Sequence, residues 1–183
     1  MDRKEVLDSI KENVENGNLV KHMLATEAIM RALARRFGED EREWGLTGLL
    51  HDIDVELTEG DMKSHSKLGA DLARELGASE VMAHAILCHN EVHGVSTETK
   101  LDKALFCTDP LTGLIIAATL VRPDKELAGL EVSSVKKRFK EKGFAAGANR
   151  EQIALCSEIG LELDEFIELG LAAMQGIAAD LGL

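Results

Sequence analysis

The stretch Trp44–Glu56, WGLTGLLHDIDVE, decides how the rest of the chain is read. Small and apolar residues lead into an adjacent His51-Asp52 pair, and two further acids, Asp54 and Glu56, follow. A burial-prone helix seldom finishes on a histidine and a carboxylate, because an ionised carboxylate is costly to bury unless it is paired or bound to a metal. His51-Asp52 therefore reads as the anchor of a metal site whose other ligands must come from elsewhere. Side chains of neighbours on an ideal helix diverge by about 100°. The pair can serve one site at a fraying helix end, or if Asp52 bridges two metals.

Outward from this stretch the periodicity is helical almost throughout, with two prolines in 183 residues. Helices are expected from about Arg3 to Asn16, stopped by Gly17, and from about Leu19 to Phe37, stopped by Gly38. A third starts in the acidic EDERE segment, favoured at a helix N-terminus, and delivers His51-Asp52. After a polar loop, Thr58 to Lys63, helix four runs Ser64 to Leu76, and helix five is capped by Ser79 and reaches His89-Asn90. Helix six starts near Lys100, is expected to break at Asp109-Pro110 so that a bend turns Asp109 inward, and resumes to Val121. A basic helix (Ser133 to Lys142), a GFAAGAN turn, a short helix opened by Asn149 and Gln152, and a long amphipathic stretch from Leu163 to Leu181 complete the chain. No segment alternates as a strand does. The expected class is all-α, one domain over residues 1–183, with a core at about 19–122 and a helical extension at about 123–183.

The net charge of −12 argues against general nucleic-acid binding, which draws on a basic face. A small anionic substrate stays compatible, because bound divalent cations dominate the local field of a site. No apolar run reaches the roughly 20 residues of a membrane span, and the charged N-terminus lacks a signal-peptide pattern. Cys88, Cys107 and Cys156 form no CxxC pair and read as core thiols of a cytoplasmic protein. A homodimer is compatible with all of this.

All six histidines lie between positions 22 and 93. The order His22, His51-Asp52, Asp109 resembles the HD-domain superfamily of metal-dependent phosphohydrolases, and HDID is close to its HDIG signature. HSKLGA from His65 is similar to the H-x-x-x-G-A stretch of the dinuclear members, and His89 matches their next histidine. The resemblance covers residues 19 to 122 and implies an HD-type helical bundle with metal ligands His22, His51, Asp52, His65, His89 and Asp109. Asp52 and His51 would be catalytic. It further implies two divalent ions, Fe or Mn in the first place, with Co, Ni, Zn or Mg admitted. Two such ions roughly 3.5–4 Å apart lower the pKa of a water and hold phosphate oxygens. The expected reaction is hydrolysis of a small phosphoester or nucleotide.

Asp54 departs from the signature glycine, and is expected to keep a helix stop because aspartate tolerates left-handed geometry. Asn90 replaces a second histidine and no Gly-Tyr-Pro follows, which argues against the HD-GYP cyclic-di-GMP phosphodiesterases and favours similarity to the diadenosine-tetraphosphate hydrolase branch. Two alternatives stay open: a di-iron oxygenase on the same ligand set, mildly disfavoured by the absence of tyrosine, and a non-enzymatic metal-stabilised binding module. His84 lies about 140° from His89 around a helix and reads as packing or surface. His93, Lys67, Arg122, Lys125 and the Lys136–Lys142 cluster read as surface, with phosphate contact the sharper reading for some of them.

Overall fold

The computed structural model describes residues 1–183 and contains ten α-helices and no strand, an all-α bundle. They are α1 (Arg3–Asn13), α2 (Gly17–Phe37), α3 (Glu41–Leu50), α4 (Lys67–Glu75), α5 (Glu80–Cys88), α6 (Lys100–Leu120), α7 (Val132–Lys140), α8 (Arg150–Ala154), α9 (Leu163–Gln175) and α10 (Ala178–Leu181).

The long helices α2 and α6 form the spine, and α3, α5 and α9 pack around them. Helix α3 is the most deeply placed, with every residue from Trp44 to Leu50 buried. Its approach to α2 depends on missing side chains. A Cβ at Gly48 would stand 3.0 Å from the Thr26 carbonyl oxygen and 2.9 Å from Met30 Cγ, and one at Gly45 would meet Arg31. Glycine at these two positions lets the backbones close, which brings the end of α3 against the face of α2 that carries His22. On the far side of α2, the buried carboxylate of Glu27 takes Arg3 at 2.7 and 2.8 Å and Arg31 at 3.0 Å, tying α1 to α2.

Several expectations need correction. Gly17 is the first residue of α2, with Asn16 accepting from Asn18 N as its N-cap, so it does not stop α1. Pro110 does not interrupt α6: the helix runs unbroken through it. A proline inside a helix removes one hydrogen bond and crowds the preceding turn, and here the burial of Leu101, Leu105, Leu111, Leu114 and Ile115 holds the geometry. Asp109 faces the site because of its position around an intact helix. Helix α4 begins at Lys67, so His65 sits in the turn before it. Between α9 and α10 the chain breaks at Gly176 and Ile177. Helix α6 is long and apolar enough, by length and composition, to cross a membrane. In the fold it is the central packed helix, with Asp102 completely buried.

Candidate metal centre

Six side chains from four helices and two turns converge at one end of the bundle. His22 projects from the first half of α2 and Asp109 from the middle of α6. His51 is the C-cap of α3 and His89 the C-cap of α5. Asp52 and His65 lie in the turns that follow α3 and precede α4.

Asp52 stands between two pairs of imidazoles. Its Oδ2 lies 3.4 Å from the Nε2 atoms of both His22 and His51. Its Oδ1 lies 3.5 Å from the Nε2 atoms of both His65 and His89. Asp109 Oδ1 joins the first pair, 3.1 Å from His22 Nε2 and 3.8 Å from His51 Nε2. Each carboxylate oxygen of Asp52 thus serves a different half of the cluster, an arrangement open to a residue just beyond the helix end.

The opposite nitrogen of each ring is fixed. His51 Nδ1 donates to Gly48 O at 2.8 Å and His89 Nδ1 to Ile86 O at 2.5 Å. Both are carbonyls three residues back at a helix C-terminus, where backbone acceptors lack helical partners. His65 Nδ1 donates to Asp54 Oδ1 at 2.9 Å. Thr112 Oγ1 gives its proton to Asp109 O and so accepts from His22 Nδ1, both at 2.8 Å. With every Nδ1 acting as donor, the neutral tautomer leaves each Nε2 lone pair facing Asp52, as metal-binding histidines require.

Charge follows this geometry. Burial opposes a proton on His22, but Asp109 and Asp52 outweigh it and hold its pKa at about 9. Burial is likewise outweighed at His51 by Asp52 and Asp109, and at His65 by Asp54 and Asp52, so both are raised. Partial burial opposes the charge on Asp52 and Asp109 too, yet His51 and His22 press both well below the usual carboxylate range. Four imidazoles and two carboxylates, without thiolate, suit divalent Fe, Mn, Co or Zn. The donor set fits divalent metal, with His22, His51 and Asp109 able to hold one ion and His51, Asp52 and His89 another grouping of the same kind.

Sequence reasoning missed the residues behind the six converging side chains. Asp54 is fully buried and does not adopt the left-handed backbone expected of it. Besides His65, its carboxylate accepts from Ser66 N at 2.7 Å and Gly69 N at 2.9 Å. A left-handed backbone falls instead on one of its partners, Ser66, at φ 67°. Asn90 spends its amide on backbone, donating to Met62 O and His65 O at 2.8 and 3.2 Å. His93 Nε2 donates to the same His65 carbonyl at 2.7 Å, so this ring supports the His65 turn. His84 bonds Asp102 on α6, remote from the six.

A cleft of about 760 Å³ opens over Asp52, His65, His89 and Asp109. Its opposite wall is the Lys142–Gln152 segment, which belongs to the C-terminal third. Of the basic residues singled out in the sequence, Lys142 lines this cleft, whereas Arg122 pairs with Asp124 and Lys136 with Asp164. The other cation of the wall, Arg150, is committed to backbone. It donates to the carbonyls of Phe139, Ala145, Ala148, Arg138 and Phe144, which fixes the GFAAGAN turn.

An all-α bundle with this ordered His and Asp set defines an HD-type domain. The HD domain family model matches residues 19–142, and the chain belongs to that family. Curated relatives include the proteins named Ribonuclease Y of Thermobifida fusca, 32% identical over 139 residues, and of Lawsonia intracellularis, 29% identical over 137. These alignments take in 74% and 73% of this chain and 26% of each relative. The chain therefore spans about a quarter of the length of the relatives it matches. No solved structure matches it.

Proposed function

We propose that this domain is a metal-dependent phosphohydrolase that cleaves a phosphoester or phosphoanhydride of a small phosphorylated substrate, with a nucleotide as the favoured class. The observation that carries this reading is the split Asp52 carboxylate, with one imidazole pair on each oxygen, at the floor of an open cleft. Two divalent ions held by His22, His51, Asp52, His65, His89 and Asp109 would supply Lewis acidity to phosphate oxygens and lower the pKa of an attacking water. The chain's own contribution is preorganisation: Gly48 O, Ile86 O, Asp54 and Thr112 hold each imidazole in one tautomer and one orientation.

Lys142 is an exposed cation of the cleft with no carboxylate partner, and it would meet a phosphate at the mouth. The apolar rim of Val55, Met62, Val92 and Ala146 gives a base or other flat group a surface to lie on. The volume suits one small ligand. A net charge of −12 disfavours a long polyanion, while the Ribonuclease Y name of the relatives supports RNA as the competing substrate. A cytoplasmic setting and a homodimer belong to the same proposal.

The test is turnover by protein loaded with Fe, Mn, Co or Zn against nucleotides, dinucleoside polyphosphates, simple phosphoesters and single-stranded RNA. Release of phosphate or mononucleotide from a small substrate, lost in D52N, is the expected result. Oligomer RNA cleaved in preference to every small substrate would reassign the substrate. A fully loaded protein that turned over nothing on the panel would end the hydrolase reading.

A further inference from the structure

A second cluster of metal-binding side chains lies between α5 and α6, away from the six-residue centre. His84 and Cys88 are four residues apart on α5 and so share one helix face. Asp102 comes from the first turn of α6, where it completes a capping box with Thr99. The donor atoms of these three residues all lie within 4.8 Å of one another, and His84 Nδ1 is 3.0 Å from Asp102 Oδ2.

Asp102 is the second, independent pointer. Its side chain is completely buried, and Oδ2 already accepts from Glu98 N and Thr99 N at 2.9 Å each, as well as from His84. Oδ1 is buried with no hydrogen-bond partner at all. An unpartnered carboxylate oxygen in the interior is costly, and the cost vanishes when a cation takes the free lone pairs. Cys88 is 1% exposed and its thiol has only a long contact, 3.6 Å, to Ala85 O.

We propose that His84, Cys88 and Asp102 form a second metal site, taking one Zn²⁺ or similar borderline divalent ion with water in the fourth position. The donor set selects this class of ion: imidazole, thiolate and carboxylate together suit zinc and cobalt, whereas the sulfur-free six-residue centre suits harder ions as well. Zinc bond lengths of about 2.0–2.3 Å place tetrahedral donors roughly 3.3–3.8 Å apart. Closing from within 4.8 Å therefore takes about one ångström of side-chain adjustment. His84 is 30% exposed and gives the ion access and the water its place. Binding releases the Cys88 thiol proton to solvent, while neutral His84 keeps its single ring proton, carried on whichever nitrogen does not ligate the ion, with no change of oxidation state. An ion there fastens α5, which His89 caps, to α6, which carries Asp109, so it would brace two of the cleft's walls from behind.

Cobalt distinguishes this site from the other, because a sulfur-to-cobalt charge-transfer band in the near ultraviolet requires a thiolate. The whole chain, with thiols kept reduced, is loaded with Co²⁺ and its spectrum and bound cobalt are measured. The expected result is a charge-transfer band that saturates at one ion per chain. It should be lost in C88S and in H84Q, and kept in C107S and C156S. His84 is partly exposed, and an unchanged far-ultraviolet circular dichroism spectrum of H84Q separates loss of the band from a folding defect. Zn²⁺ should also raise the melting temperature of the wild type more than that of C88S. No band in folded, cobalt-saturated protein would overturn the proposal, as would a band that survives C88S or H84Q. Neither result bears on hydrolysis at the sulfur-free centre.

Discussion

Asp54 holds His65 by its ring, Ser66 in a left-handed backbone and the start of α4 by Gly69 N. A buried carboxylate that accepts three hydrogen bonds is a positioning residue, and its loss should be felt in metal binding before turnover. Substituting the family glycine, D54G, should weaken metal affinity by about 10–100-fold, the usual effect of removing a group that orients a ligand. It should also cost about 2–4 kcal/mol of stability from the orphaned donors; metal titration and urea unfolding check both. D52N, which alters the group between the two imidazole pairs, should lower turnover by far more than D54G. Protons compete with the metal as well. His22 has its pKa held at about 9, so its stabilising charge is fully present below its ordinary 6.5 and is lost as pH rises toward 9. Metal-free protein should therefore lose stability across that window. Metal affinity should rise across it, by about tenfold per pH unit for each proton displaced, as titrations at stepped pH would reveal. The six converging residues were legible because their types are scarce and their order is distinctive: all six histidines fall within 72 positions, from His22 to His93. Asp54 was not legible, because two of its three partners are backbone amides 12 and 15 residues away, and backbone donors leave no mark in a sequence.

Among the elements, the α2–α3 contact sets the geometry of the site. G48A would press a methyl against the Thr26 backbone, which cannot yield, so it should cost about 1–3 kcal/mol and move His51 off His22. G45A meets the flexible Arg31 side chain instead and should cost less than about 1 kcal/mol. The test is to compare the two unfolding midpoints and the two metal affinities: the damage should be confined largely to Gly48. The helices themselves were readable from apolar spacing, including the Ser79 cap, which accepts from Met82 N. Pro110 misled for a physical reason. Local geometry disfavours a helix there, but the packed faces of α6 override it, and packing partners are remote in sequence.

At the scale of the molecule, the cleft joins two halves of the chain that look unrelated in sequence. The N-terminal two-thirds supply the floor and the C-terminal third the facing wall, with Arg150 bonded to five backbone carbonyls. R150M should loosen that wall, raising KM for nucleotides severalfold while leaving the affinity of the centre for metal unchanged. K142A should raise KM at low salt and lose its effect as salt screens the exposed charge. The wall was invisible beforehand because carbonyl acceptors have no sequence signature and the segment carries no histidine.

The placement of α9 has a consequence for what counts as the unit of this protein. The family match stops at residue 142, yet α9 packs on both α2 and α6, with Phe166, Ile167, Leu171 and Met174 in the shared core. Gly170 lets it lie so close that an added Cβ would meet Leu111 at 2.8 Å. The boundary of inheritance and the boundary of cooperativity therefore fall in different places. A fragment cut at the first would keep all six converging side chains and lose the apolar seam that α9 lays across α2 and α6.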